Sequence, residues 1–385
     1  MRSIMHANRL HLLLPFALPA AADASTALYN IQSPALDKLL ARATLVERVI
    51  GEDFQRTLPH ERWVARRFGT VASGTGAADE APLAPYMLRA DGGEPGTSTW
   101  ACVQPVHVRI AHDHLVLIDP ASLALTDAEA STLLDVARPL IEELGVRIEA
   151  PKPTRWYLAS DAFGTLAGAS PLRASGRNIE IWLPHEAHTG ERSRAWMKLQ
   201  NEVQMAWFEH PVNEAREARG LPSVNSIWFH AQGAAQPVTS PFARVLSDAA
   251  ATRGLALTAG VETGAPPASF AALAAAANGA TDATGAGRDA GSRAHGSNGA
   301  AATTLVELDP FSAPYIEQDW GRWNEAFAAL ETEWFAPALA ALQAGQLGEL
   351  GLTLCGDTGS VTLTITRGDL RKFWRRRVLA SLFIE

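Results

Sequence analysis

Between Trp196 and Gly233 the chain reads WMKLQNEVQMAWFEHPVNEAREARGLPSVNSIWFHAQG, and polar groups able to hold an anion stand there among large apolar ones. Arg216 and Arg219, with Arg155 upstream, could grip a phosphate or carboxylate through paired N–H donors. Asn213 and Asn225 could orient it, and Asn201, Glu202 and His210 complete the candidate set. Buried Asn, His and Arg also commonly cap helices and satisfy backbone groups, so backbone support is the rival reading of the same residues. Glu202, Glu209 and His210, joined by Asp309, could instead form a metal site. Paired acids seven residues apart, however, more often mark a solvated helix face. His112-Asp113-His114 also invites a metal reading, but three adjacent turn residues cannot all point inward, and solvated turn chemistry is expected.

These groups need elements to place them. Trp196, Leu199, Val203 and Trp207 recur at helical spacing and predict one buried stripe. Pro211 then interrupts the helix, a second short helix carries Arg216 and Arg219 to Gly220, and Val224 to Phe229 has strand character. Upstream, Leu10 to Leu14 is read as an opening buried strand in preference to a secretory signal, because Pro15 and Pro19 break the apolar run. Ser33-Pro34 reads as N-cap and first position of a helix that includes Leu36, Leu39 and Leu40 and continues through Leu45, Val46 and Val49. A short helix with Trp63, Val64 and Phe68 follows, and residues 70 to 98 are expected to be mostly loop. Val106 to Ile118 suggests a hairpin. Thr126 and Glu129 form a capping box for the helix Asp127 to Leu144, with strands at Val146 to Glu149 and Arg155 to Leu158. Residues 258 to 304 collapse into Ala, Gly, Thr, Ser and Asn and are expected to be a flexible insertion. A strand at Leu305 to Leu308 precedes a long helix with the stripe Trp320, Trp323, Phe327, Leu330, Trp334 and Leu339. Leu352 to Leu354 and Val361 to Ile365 read as a hairpin, and Arg371 to Arg377 as part of a last helix. The alternation of strand and helix predicts an α/β fold with a mixed or parallel sheet flanked by helices.

Composition bounds the function. At 385 residues, with 47% hydrophobic and 19% charged residues, the chain can bury a large core. Its net charge of -8 argues against bulk electrostatic binding to nucleic acid, although the basic C-terminal stretch keeps a nucleic-acid-associated regulator as an alternative. Cys102 and Cys355 are too few for a disulfide framework and fit a reducing cytoplasm. No segment reads as long and apolar enough to cross a bilayer, so a membrane role is not expected.

Several stretches together carry a family likeness: NEVQMAWFEHPVNEAREARGLPSVNSIWFHAQG, PLAPYMLRAD, PVHVRIAHDHLVLIDP, LTDAEASTLL, DWGRWNEAFAALETEWFAPALAAL and RKFWRRR. On these the chain resembles, over nearly its whole length apart from the Ala/Gly stretch, the proteobacterial proteins described as RpfE-type regulatory proteins. Those are often labelled as similar to cofactor-independent phosphoglycerate mutase. The archaeal-type mutases have a pattern similar to His210, Pro211, Val212, Asn213, Arg216, Gly220, Asn225 and Trp228. Ser33-Pro34-Ala35-Leu36-Asp37-Lys38-Leu39 resembles the helix after their first strand, and Arg155-Trp156-Tyr157-Leu158 falls where they have a substrate-domain Arg strand. The resemblance implies an alkaline-phosphatase-like core in residues 1–99, 201–257 and 305–385, with a smaller inserted domain near residues 100–200.

It also implies chemistry that this sequence departs from. The related enzymes need two divalent metals on Asp and His and a Ser that accepts the phosphoryl group. Here Leu14 is followed by Pro15-Phe16 in place of Asp-Gly. Leu58-Pro59-His60-Glu61 stands where the Ser turn is expected. The late metal motifs are reduced to Asp309-Pro310-Phe311-Ser312 and Gly356-Asp357-Thr358. The expectation is therefore a catalytically degenerate relative, without assignable catalytic residues, metal ligands or cofactor, that binds a small anionic metabolite or a protein partner. The alternative is an active mutase or phosphatase using Mn or Mg.

Overall fold

RLHLLL ends in three successive leucines, as a strand covered on both faces requires. Arg9–Leu14 is such a strand, buried at Leu10, Leu12, Leu13 and Leu14, between parallel neighbours Thr303–Glu307 and Glu349–Cys355. It lies fourth in a seven-stranded sheet ordered Glu262–Gly264, Arg244–Leu246, Thr303–Glu307, Arg9–Leu14, Glu349–Cys355, Gly359–Thr366, Thr44–Ile50. The first five run parallel, and the last two join as antiparallel neighbours. The computed structural model describes residues 9–20, 22–29, 31–52, 54–71, 80–159, 166–186, 190–283 and 302–382. The chain divides into two units. One comprises Met1–Ile50, Pro241–Asp248 and Val261–Glu385, and the other Gly51–Ser240 and Ala249–Gly260.

In the first unit the expected aromatic stripe is a helix pair, Trp320–Leu330 and Ala336–Ala344, joined through the π-helical turn Glu331–Phe335. Trp323, Phe327, Leu330, Trp334 and Leu339 are buried along it. The turn has a structural use. Glu331 accepts from the backbone N–H of Ala35 at 2.6 Å and of Leu36 at 3.1 Å, capping the helix Pro34–Arg42 from outside. Ser33, expected as that helix's N-cap, makes no side-chain cap bond.

The second unit is built on an antiparallel sheet ordered Ser226–Ala234, Thr99–Val106, Arg155–Ala159, Arg147–Lys152. Helices Asp127–Glu142 and Glu191–Phe208 cover it with a core that includes Leu133, Trp156, Trp196, Val203, Trp207 and Phe229. Trp156 and Trp207 meet edge to face at 6.0 Å. The capping box at Thr126 and Glu129 forms as expected. So does the break at Pro211, after which the helix Pro211–Ala218 runs to Gly220.

The α/β class with a mixed sheet flanked by helices is what the chain adopts, while several expected boundaries change. Helix Pro34–Arg42 stops at the extended residue Ala43, and TLVERVI, rich in β-branched residues, is the strand Thr44–Ile50. The stretch 70 to 98 contains a buried helix, Ala84–Ala90, started by Pro85; residues 72–79 lie outside the described residues. Val106 ends a long strand of the sheet, and the hairpin is only Val108–Ala111 with His114–Leu117. Residues 258 to 304 hold the strand Glu262–Gly264 and the helix Phe270–Ala283, whose alanines are the best helix formers; 284–301 lie outside the described residues. Of Arg371 to Arg377, Arg371 closes a 3₁₀ turn, Asp369–Arg371, and the rest are not helical. The second unit also includes the helices Pro59–Arg67, Ala84–Ala90 and Ala250–Thr258.

Candidate functional site

Apart from Asp309, the residues singled out in the sequence lie in the second unit, and the hydrogen bonds of most of them are directed inward. His210 is the N-cap of Pro211–Ala218, its Nδ1 accepting from the Val212 N–H at 3.2 Å. Asn213 is buried. Its amide donates to the carbonyls of Trp207 at 2.8 Å and Val224 at 2.9 Å, and its Oδ1 accepts from the Val224 N–H at 2.7 Å. Asn225 bonds both backbone groups of Val108, each at 2.8 Å. Arg216 is wholly buried and donates to Pro222 O at 2.8 Å, Leu123 O at 2.6 Å and Glu129 Oε2 at 3.0 Å. Arg219 shares Glu129 from the exposed side. Glu202 pairs with Lys198 at 3.5 Å on the helix surface, and Asn201 is exposed one residue before it. His210, Asn213, Arg216, Arg219 and Asn225 thus tie the bend after Trp207 to the start of helix Asp127–Glu142 and to Val108, satisfying backbone that the proline break would leave open.

Arg155 belongs to another cluster, on the sheet. It makes a two-point contact with Asp91, Nε to Oδ2 and Nη2 to Oδ1, both at 2.7 Å, and Tyr157 donates its hydroxyl to Asp91 at 2.6 Å. Burial works to raise the Asp91 pKa, but hydrogen bonds from Arg155 and Tyr157 and the charges of Arg155 and Lys152 outweigh it and hold the carboxylate below its ordinary value. His230, two strands away on Ser226–Ala234, is pushed down to about 3 by burial and then by the Arg155 charge, so its ring is neutral at pH 7 and bonds Gln104 Oε1 at 3.1 Å.

A third cluster has no spacing signal in the sequence. At the entry to helix Pro59–Arg67, the Glu80 carboxylate accepts from the backbone N–H of Arg56 at 2.6 Å and of Thr57 at 2.7 Å, and from the Thr57 hydroxyl at 2.5 Å. Two successive N–H groups and a hydroxyl around one anion are a nest of the type that holds phosphates. The nest is strongly cationic, with Arg56, Arg62 and Arg173 all buried. Arg62 and Arg173 donate to Thr57 O at 3.0 and 3.3 Å, and Arg56 contacts His185 Nδ1 at 2.6 Å. Burial, then the charges of Arg173 and Arg62, pushes His60 down to about 3, and burial raises Glu61. Glu80 and Arg173 stand 23 and 116 positions from Thr57, too far for any local pattern to reveal them.

In the first unit the carboxyl ends of the parallel strands are where open α/β sheets place ligands. After Leu14 comes Phe16, in the left-handed region at φ 53, its ring fully buried and 4.9 Å from Tyr315. Its carbonyl accepts from the Trp323 indole at 3.0 Å. Asp309 accepts from the Ser312 N–H at 3.1 Å and hydroxyl at 2.5 Å, and buried Glu307 accepts from the Ser247 hydroxyl at 2.6 Å. An apolar ring and two carboxylates bonded to serines do not fit the donor set of a two-metal centre. Among the described residues no group of three or more His, Cys, Asp or Glu could hold a metal ion.

No family model and no curated protein sequence matches the chain. Among solved structures it is similar to the PH0037 protein from Pyrococcus horikoshii, at 11% identity over 94% of this chain and 87% of that one, with a TM-score of 0.47. It is also similar to the cofactor-independent phosphoglycerate mutase from Thermoplasma acidophilum, at 14% identity over 98% and 96% of the two chains, with a TM-score of 0.41.

Proposed function

We propose that the chain is a phosphoglycerate-mutase-like protein, akin to the RpfE-type regulators, that has lost two-metal phosphoryl transfer and acts by binding a small phosphorylated or carboxylate metabolite. The observation that carries this reading is Phe16. A buried aromatic stands at the end of the central strand, packed against Tyr315 and with its carbonyl bonded by Trp323, and a phenyl ring supplies no metal ligand. The Thr57 nest is the anion site that fits the binding half of the reading. Its donors already hold a carboxylate, that of Glu80, and three buried guanidinium groups surround it. A metabolite phosphate binds there by exchange with Glu80, in the way that one anion displaces another from a nest.

Calorimetric titration with 3-phosphoglycerate, beside a coupled mutase assay supplied with manganese, tests both halves. We expect no turnover, weak binding by the native protein, and tighter binding by Glu80→Gln, which frees the nest. Turnover near 1 per second or faster, abolished by chelation, would overturn the degenerate reading. Equal binding by Glu80→Gln and the native protein would remove the nest as its site.

A further inference from the structure

The strand Thr44–Ile50 ends the seven-stranded sheet and pairs on one side only, with Gly359–Thr366. Among the described residues no strand lies along its outer side. Edge strands are ordinarily blunted by proline, shortness, charge, a bulge or cover, because an open row of N–H and C=O groups recruits another chain. This one carries Glu47 and Arg48 and pairs with one register shift, but it is seven residues long, contains no proline, and exposes Leu45, Val46 and Ile50 at 41, 55 and 60%.

Beside its start lies a cavity of about 470 Å³, lined by Thr44 and Leu45 of the strand and by Arg375, Arg376, Arg377 and Ser381 of the C-terminal segment. That segment is fixed by its side chains. Arg375 Nη1 donates to Thr44 Oγ1 at 3.0 Å and Arg42 O at 3.3 Å, Arg377 to Ala43 O at 3.1 Å, Arg42 to Lys372 O at 3.0 Å, and Arg48 to Ser381 O at 3.0 Å. Arg375 and Arg377 thereby serve the carboxyl end of helix Pro34–Arg42, where cations belong. Arg376 is exposed. Among the described residues no carboxylate forms an ion pair with Arg42, Arg48, Arg375, Arg376 or Arg377. The nearest acid in the segment, Asp369, is paired with Lys372 at 2.5 Å. Five guanidinium groups around one end of an open strand create a positive field in a chain whose net charge is -8.

We propose that this edge is a docking surface for an extended acidic segment of a partner protein, which adds as an eighth strand beside Thr44–Ile50 with its carboxylates at the arginine cavity. Main-chain pairing supplies affinity, the apolar side chains of the strand supply contact, and the charge cluster selects an acidic sequence and its register. A nucleic acid would use the same cations. Phe373 and Trp374, exposed at 72 and 66% beside Arg375, also offer bases a surface to stack on, so competition by an oligonucleotide decides between the two. The aliphatic Leu45, Val46 and Ile50 of the strand itself suit alternating side chains of an added strand.

The test uses the full chain and a fluorescein-labelled peptide in which a run of glutamates precedes alternating valine and threonine, read by anisotropy and by amide exchange of residues 44–50. The expected result is saturable binding with slowed exchange across Thr44–Ile50. A glutamine-for-glutamate peptide and the variant Arg376→Glu should each weaken it about tenfold, and N-methylation of alternate peptide amides should abolish it. Arg376 holds no other residue, so its substitution leaves the fold intact. Equal binding by the N-methylated peptide, or no binding, would overturn the proposal. So would an oligonucleotide or anionic vesicles that compete through the same arginines without changing exchange across the strand.

Discussion

Arg216 and Glu129, 87 positions apart in the chain, meet with Nη1 3.0 Å from Oε2, and the guanidinium is completely buried. Glu129 is also the third residue of the Thr126 capping box, so one carboxylate joins the start of helix Asp127–Glu142 to helix Pro211–Ala218. Removing one partner of a buried pair costs about 3–5 kcal/mol, because the other charge is left uncompensated. Arg216→Met should lose stability of that order in urea unfolding. Arg219→Ala, whose side chain is half exposed, should lose less than about 1 kcal/mol. Equal and negligible losses would return both arginines to the role of ligand grips.

The same carboxylate sets an acid limit. Burial works to raise its pKa, but the Thr126 N–H, the Arg219 and Thr126 side-chain bonds and the Arg216 charge outweigh that and bring it down to about 2. An acid depressed in the folded state contributes stability that is complete above its ordinary 4.5 and is lost as pH falls toward about 2. Unfolding of Glu129→Gln should therefore be less pH-dependent than that of the native chain across this window, when followed by circular dichroism.

Two buried imidazoles act over a higher range. His60 and His230 both have pKa values near 3 in the fold, against an ordinary 6.5. The unfolded chain then takes up their protons first, so stability falls as pH drops from 6.5 toward 3. Each ring adds up to about 1.4 kcal/mol per pH unit to that slope. His230→Gln should remove about half of their joint contribution between pH 4 and pH 6. A slope unchanged in His60→Gln and His230→Gln alike would mean that neither ring is held neutral.

Helices Ala84–Ala90 and Ala250–Thr258 touch backbone to backbone. A Cβ on Gly254 would stand 1.7 Å from Tyr86 O and 2.4 Å from Tyr86 C, where only movement of a helix could make room. Gly254→Ala should cost about 3 kcal/mol or more, seen as a lowered melting temperature. Gly260→Ala, with nothing within 4 Å, should show only the smaller cost of its left-handed φ of +70.

An anion-filled nest has a matching prediction. Thr57→Val removes the hydroxyl that bonds Glu80 at 2.5 Å and leaves its two backbone donors in place. It should cost about 1 kcal/mol of stability and weaken 3-phosphoglycerate binding by Glu80→Gln. Unchanged binding in the double variant would separate the metabolite from the nest.

Local rules were enough for much of the fold. The opening apolar run, the Thr126 box and the Pro211 break each act through neighbours three or four residues away or through one proline, and each is found as read. The tryptophan stripe is buried from Trp323 on but lies on two helices joined by a π-helical turn. The class of the sheet also follows from alternation of strand and helix. What failed was wherever a distant partner overrides the local pattern. Leu45, Val46 and Val49 keep helical spacing with Leu36 and Leu40, yet pairing with Gly359–Thr366 makes them a strand. Arg371 to Arg377 look helical, but the carbonyls of Arg42 and Ala43 claim two of the arginines. The chemistry-bearing residues were legible by type and not by use. Whether Arg216 faces a ligand or Glu129, and whether Thr57 meets Glu80, depends on chain segments brought together only in three dimensions. In a buried setting, the nearest charge or carbonyl decides the role of a guanidinium, and the sequence does not record which one is nearest.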